Sequence, residues 1–210
     1  MRPANVMGGD FYDVFPIGGG RTAIVVADVS GKGVPAAFYM AVARTLIRSV
    51  ATVATGPADC FSQVNELLCG HHIPGMFVSV FYAVLNNGSN RLEYANGGHQ
   101  LPFKGRRGLT PVPLAGGDGV VLGILADQVY AESVTDMESG DFLYVFTDGV
   151  TEAFNANREA FSEERLAQCL NLDGDPEAEQ ILERVREEVA SFVAGADQHD
   201  DVTSLVVKRL

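Results

Sequence analysis

The sequence predicts an α+β fold in a single domain. Three observations predict it: strands fall in runs, helices fall between those runs, and no pattern repeats along the 210 residues. A chain of this length with 47% hydrophobic content buries one sizeable core. Its formal charge of -12, from 27 acidic against 15 basic residues, disfavours contact with a phosphate backbone, so no nucleic acid is expected as a partner. Cys60, Cys69 and Cys169 form an odd set without a CxxC pair, which points away from a disulfide framework or zinc knuckle and toward a reducing cytoplasm. The longest apolar stretch, 34 to 53, is broken by Arg44 and Arg48, and residues 1 to 20 lack a signal-peptide core. No membrane contact is expected of this segment. The abrupt start at Met1-Arg2-Pro3 fits a domain preceded by another module in a longer protein.

The elements follow in order. RTAIVVA (21 to 27) is a short β-branched strand of the kind covered on both faces, and it ends at Asp28. After the turn Ser30-Gly31-Lys32-Gly33, Pro35 suits a first helical turn, and AAFYMAVARTLIRSV continues as a helix expected to be largely buried. A second helix begins near Pro57, with Phe61, Val64, Leu67 and Leu68 on one stripe. FVSVFYAVL, a turn at Asn86 to Asn90 and RLEYAN form a hairpin. Residues 97 to 128, rich in Gly and Pro, are expected to run over the surface as loops and short strands. Strands follow at 129 to 136 and 141 to 146, helices at 162 to 170 and 176 to 193, and a last strand in VTSLVVKRL.

Asp28 and Asp148 end apolar strands, whereas Asp10 and Asp200 come just before strands. If the two kinds of strand run antiparallel, all four carboxylates reach the same edge of the sheet. Two carboxylates 4 Å apart repel by roughly 4 kcal/mol at an effective dielectric of about 20. Keeping one protonated at neutral pH means a shift of about 3 units from roughly 3.9, which costs about 4 kcal/mol. Divalent cations are the simpler remedy, and oxygen-only ligands select magnesium or manganese over zinc. Gly8, Gly9, Gly31 and Gly149 beside these acids allow close backbone approach.

In this order GGDFYD (8 to 13), DVSGKGVPAA (28 to 37), MFVSVFY (76 to 82), YANGGH (94 to 99), TDGVTEA (147 to 153) and HDDVT (199 to 203) resemble the PPM, or protein phosphatase 2C, family in its bacterial SpoIIE-type branch. The resemblance covers nearly the whole chain. It implies a four-layer αββα sandwich of two antiparallel sheets flanked by helices, with a dinuclear site at one end. It implies two Mn2+ or Mg2+ ions held by Asp10, Asp28, Asp148 and Asp200, with the carbonyl of Val29 as a further ligand. Asp201 and Gly149 match neighbouring motif positions, and Asp13 belongs to the motif without an assigned role. The implied reaction is hydrolysis of phosphoserine or phosphothreonine by a metal-bridging water, without a phosphoenzyme. The implied substrate is a phosphorylated regulatory protein such as an anti-sigma-factor antagonist, under control of an upstream sensor or receiver domain in sigma-factor and stress-response signalling. The family's domain has a further strand before the position of Arg2, so the first sheet is expected to lack an edge strand.

Other features are weaker. Arg2 and Lys32 are the candidates for a phosphate-binding cation. Gly31-Lys32-Gly33 lacks the GxxxxGK[ST] spacing of a phosphate loop and reads as a turn. His71-His72 reads as a helix end, and His99 reads as structural. Lys104, Arg106 and Arg107, in the Gly/Pro-rich stretch, are candidates for docking an acidic protein substrate. The rival function is a phosphatase-fold module that binds an anti-sigma factor or phosphoprotein without turnover.

Overall fold

The computed structural model describes residues 1–4, 7–71, 73–106, 108–172 and 174–210. The chain divides into two compact units, one formed by Asn5–His99 and Ala115–Asp136, the other by Met1–Ala4, Gln100–Leu114 and Met137–Leu210. Each unit is a sheet with helices on one face, which is the economical way to bury the apolar side of both. No helix among the described residues is long and apolar enough to cross a membrane.

The first unit holds strands β1 (Phe11–Gly18), β2 (Arg21–Val29), β3 (Val78–Asn86), β4 (Arg91–Gly97), β7 (Asp118–Gly119) and β8 (Ser133–Asp136), and helices α1 (Val34–Val50) and α2 (Pro57–Gly70). The strand order is β1-β2-β3-β4-β7, with β8 also paired to β4. All pairings are antiparallel except the short β4/β7 contact. The β1/β2 turn needs its glycines, because Gly18, Gly19 and Gly20 all have φ between 60° and 85°. Strand alternation sends Phe11 and Phe15 of β1, Ala23, Val25 and Ala27 of β2, and Val78, Val80 and Tyr82 of β3 into one core with α1 and α2. Ile24 and Val26, on the opposite face of β2, are equally buried, as expected for a strand covered on both sides.

Two expectations are corrected here. Helix α1 is not largely buried: Ala36, Tyr39, Ala43, Ile47 and Val50 form its packed stripe, while Val34, Phe38 and Val42 stay exposed. It lies on the outer face of a sheet and can bury only the side it turns inward. The segment 97 to 128 is not all surface loop. Leu122 is fully buried and its backbone bridges to Val78, and buried Asn65 of α2 accepts a hydrogen bond from the Gly123 amide.

The second unit holds β5 (Phe103–Arg106), β6 (Leu109–Pro113), β9 (Asp141–Phe146) and β10 (Ser204–Lys208), with α3 (Asp148–Thr151), α4 (Ser162–Leu170) and α5 (Ala178–Val193). Its strand order is β10-β9-β5-β6, antiparallel throughout. Leu166 and Leu170 of α4 and Ile181 and Val185 of α5 pack with Phe103, Phe142, Tyr144 and Phe146 of the sheet. A capping box between Glu177 and Gln180 starts α5, and Lys208 of β10 pairs with Asp175 just before it. The residues before Asn5 belong to this unit: the Arg2 backbone exchanges hydrogen bonds with Val202 at 2.8 and 2.9 Å.

At the start of β9, Asp141 is fully buried, accepts from Arg106 and the Glu138 amide, and lies 3.6 Å from the Lys104 ammonium. Burial pushes its carboxyl up, but the Arg106 bonds, the Glu138 N–H and the nearby charges outweigh burial and hold it below the usual carboxylate range. A depressed folded value contributes stability that is fully present above the unfolded value near about 3.9 and is lost as pH falls through the folded value. Asp141→Asn is therefore expected to melt below wild type at pH 7, with the gap closing below about pH 4. Thermal melts at pH 7 and pH 3 check this; a gap independent of pH would contradict it.

Candidate metal centre

Asp10 precedes β1 and Asp28 is the penultimate residue of β2. Carried one step beyond its first pair, Phe11↔Ala27, the register would set Asp10 opposite Asp28. Alternation places both on the face of the sheet away from α1 and α2, since Phe11 and Ala27 point toward the helices. Side chains directly opposite in an antiparallel pair stand about 4.5–5.5 Å apart at Cβ, and like charges there repel. Asp10 is only 1% exposed, so water does little to screen that repulsion. A Cβ at Gly9 would lie 2.8 Å from the Val29 carbonyl oxygen. Glycine at that position thus lets the backbone next to Asp10 approach the Val29 carbonyl, the oxygen the family resemblance implies as a ligand.

Asp13 belongs to the other face. It is 7% exposed and receives two hydrogen bonds from Arg48 Nη1 at 3.0 and 2.8 Å, with Arg44 Nη2 at 3.1 Å. Arg48 also lies 4.5 Å over the Phe15 ring. This motif acid ties β1 to α1, and its place on the helix side separates it from Asp10 and Asp28.

In the second unit Asp148 follows β9 and opens α3. Beyond the β9/β10 ladder, Thr147 N–H donates to the Thr203 carbonyl and Thr203 N–H donates to Thr147 Oγ1 at 3.1 Å. This continued pairing brings the start of α3 alongside the segment that precedes β10. A Cβ on Gly149 would fall 1.9 Å from the Asp201 carbonyl oxygen, so only glycine permits the approach. Asp200 accepts from the Asp201 amide at 2.9 Å, and Gln198 donates to the carbonyls of both Asp200 and Arg2. Asp201, 8% exposed, accepts from the Ala4 amide at 2.7 Å and so anchors the N-terminal segment.

Each unit thus delivers an acidic pair to one end of its own sheet. The single-sheet edge inferred from strand direction is corrected to two sheets, because β1/β2 and β9/β10 are separate antiparallel pairs. Among the described residues no three His, Cys, Asp or Glu side chains gather into a metal-holding group. The candidate donors are carboxylate and carbonyl oxygens, and such a set fits a hard divalent cation such as magnesium or manganese.

The remaining candidates separate from the acids. Lys104 and Arg106 lie on β5 with their charge directed at buried Asp141, and Arg106 also pairs with Glu138. Arg107 and His72 lie outside the described residues. Lys32 is exposed in the loop before α1, and His71 Nδ1 lies 3.1 Å from the Leu67 carbonyl at the end of α2, a helix-end contact as read. A Ser79–His99 pair was not foreseen as part of the acidic region. Its signal was the strand register, which sets Ser79 opposite Asp28.

The fold is that of a PP2C phosphatase domain. It superposes on the SiaA-PP2C domain of Pseudomonas aeruginosa with a TM-score of 0.84, covering 99% of this chain and 83% of that one at 21% identity. RsbX in complex with magnesium matches with a TM-score of 0.71, covering 98% and 90% at 14% identity. At these identities the likeness is one of fold. Residues 18–210 match the SpoIIE (Stage II sporulation protein E) family, and the chain belongs to it. Protein IcfG of Synechocystis sp. is 28% identical over 246 residues, covering 100% of this chain and 37% of that protein. Phosphoserine phosphatase RsbU of Bacillus subtilis is 28% identical over 208 residues, covering 99% and 61%. The chain therefore spans less than two thirds of the length of these relatives.

Gly149→Ala is expected to force the turn after β9 away from Asp201, because the obstacle is a backbone oxygen that no rotamer change can clear. The variant should melt several degrees lower and lose Mn2+ binding. Unchanged melting and Mn2+ affinity would show that the close packing there is dispensable.

Proposed function

We propose that this chain is a metal-dependent serine/threonine protein phosphatase that hydrolyses phosphoserine or phosphothreonine on a regulatory protein such as an anti-sigma-factor antagonist. The observation that carries the reading is the acidic pair at the end of each sheet, in a chain of the SpoIIE family with the PP2C fold. RsbU, a named phosphoserine phosphatase, matches this chain over 99% of its length.

Asp10, Asp28, Asp148 and Asp200, with the Val29 carbonyl, would hold two divalent cations. Magnesium or manganese bound there would supply an ionised water as nucleophile and positive charge for the phosphoryl oxygens. The contribution of the chain's own residues is placement. The β1/β2 register carried past Phe11 would set Asp10 against Asp28, Gly9 lies close to the Val29 carbonyl, and Gly149 lies against the Asp201 carbonyl next to Asp200. Groups held beside strand ends in this way would keep their geometry before substrate arrives, which would lower the reorganisation required during phosphoryl transfer. With Lys104 and Arg106 directed at Asp141, recognition of the protein substrate would rest on surfaces other than that basic pair.

The test is hydrolysis of p-nitrophenyl phosphate with Mn2+, with and without chelator, by wild type and Asp148→Asn. Replacing a carboxylate by a neutral amide removes charge from the cation site without changing its size. Wild type should be active with Mn2+ and silent with chelator, and Asp148→Asn should be inactive though folded. Activity in chelator, or variant turnover above a few per cent of wild type, would contradict the assignment. An inert but metal-binding wild type would favour the non-catalytic binding module.

A further inference from the structure

Across the end of the first unit's sheet, three polar residues lie side by side on the face away from the helices. Asp28 is paired with Ser79 of β3, and Asp10 precedes Phe11, the partner of Ala27 in β2. Ser79 Oγ lies 2.9 Å from His99 Nδ1. His99 is buried at 8% exposure and its position is tightly specified. The carboxamide of buried Asn96 accepts from the His99 amide at 2.7 Å and donates to the His99 carbonyl at 3.0 Å. Between them Gly98 has φ of 68°, and a Cβ there would meet Val121 Cγ1 at 2.7 Å. Burying an imidazole and a hydroxyl costs desolvation, which a Val or Leu would avoid. Filling space therefore does not account for the pair.

We infer that Ser79 and His99 are positioning residues for Asp28: His99 Nδ1–H donates to Ser79 Oγ, and the Ser79 hydroxyl donates in turn to the Asp28 carboxylate. The relay fixes which carboxylate oxygen remains for a cation. It rests on the metal reading of Asp28 given above. Carboxylates that ligate metals are held by hydrogen bonds of this outer kind, and their loss weakens metal affinity by about 10–100-fold. The direction of the relay follows from its two ends. The carboxylate can only accept, so a Ser79 hydroxyl that serves it must donate, which would leave Ser79 Oγ to receive from the imidazole.

Mn2+ dissociation constants measured by calorimetric titration test the inference without reference to turnover. Ser79→Ala and His99→Ala should each weaken Mn2+ binding by about 10–100-fold, and the double variant should bind no more weakly than either single one, since both break one relay. His99→Asn, whose amide N–H can reach Ser79 from nearly the place of Nδ1, should restore much of the affinity. Melts of the metal-free proteins identify variants that have unfolded. Folded Ser79→Ala and His99→Ala proteins with wild-type Mn2+ affinity would overturn the inference, as would additive losses in the double variant. Asp28→Asn separates the two claims. If wild type binds Mn2+ and Asp28→Asn does not, while Ser79→Ala does, only the relay fails. If wild type and Asp28→Asn bind alike, Asp28 is no ligand, and the metal reading and the relay fail together.

Discussion

Everything about the proposed chemistry depends on one constraint: an antiparallel register, Phe11 with Ala27, that carried one step further would set two carboxylates, Asp10 and Asp28, opposite each other at the end of a sheet. Like charges in that position oppose pairing of the strands that carry them. The repulsion is overcome by the apolar remainder of the same strands, since Ala23, Val25 and Ala27 bury one face of β2 and Ile24 and Val26 bury the other. The fold would thus hold in place an electrostatic conflict that a bound cation would resolve. Strain of this kind, concentrated where chemistry happens and offset by packing elsewhere, is the usual signature of a functional site.

The same logic explains where the glycines fall. Gly9 and Gly149 are not turn glycines of positive φ; both mark places where a backbone carbonyl comes so close that no side chain fits. At Gly9 the neighbour is Val29, and at Gly149 it is Asp201. In both units, therefore, the acid next to the glycine is located by main-chain contact rather than by a flexible side chain. Such contacts are stiff, and stiffness lets carboxylates of like charge stay in register without a ligand between them.

Much of this was legible in the sequence. β2, α1, the β3/β4 hairpin and both late helices announce themselves by period and by Pro and Gly punctuation, and the acids stand out because they terminate apolar strands. Tertiary pairing was not legible. Nothing within GGDFYD tells Asp10 from Asp13, yet Asp13 meets Arg48, 35 positions later, on the helix side. Lys104 and Arg106 looked available for a partner until Asp141, on the adjacent strand, accounted for their charge. Strand direction alone could not divide the acids between two sheets, because direction says nothing about which strands share a ladder. The apolar run in α1 overstated its burial for a related reason, since composition counts Phe38 and Val42 without knowing which way they face.

The central claim is that Asp28 is kept in an unfavourable place for the sake of a cation. Its most direct test is the thermal midpoint of wild type and Asp28→Asn, each measured with chelator and with Mn2+. The account predicts that the metal-free variant melts at or above metal-free wild type, because a like-charge contact has gone, and that Mn2+ raises the wild type far more than the variant. A metal-free variant that melts well below wild type, with Mn2+ raising both equally, would contradict it.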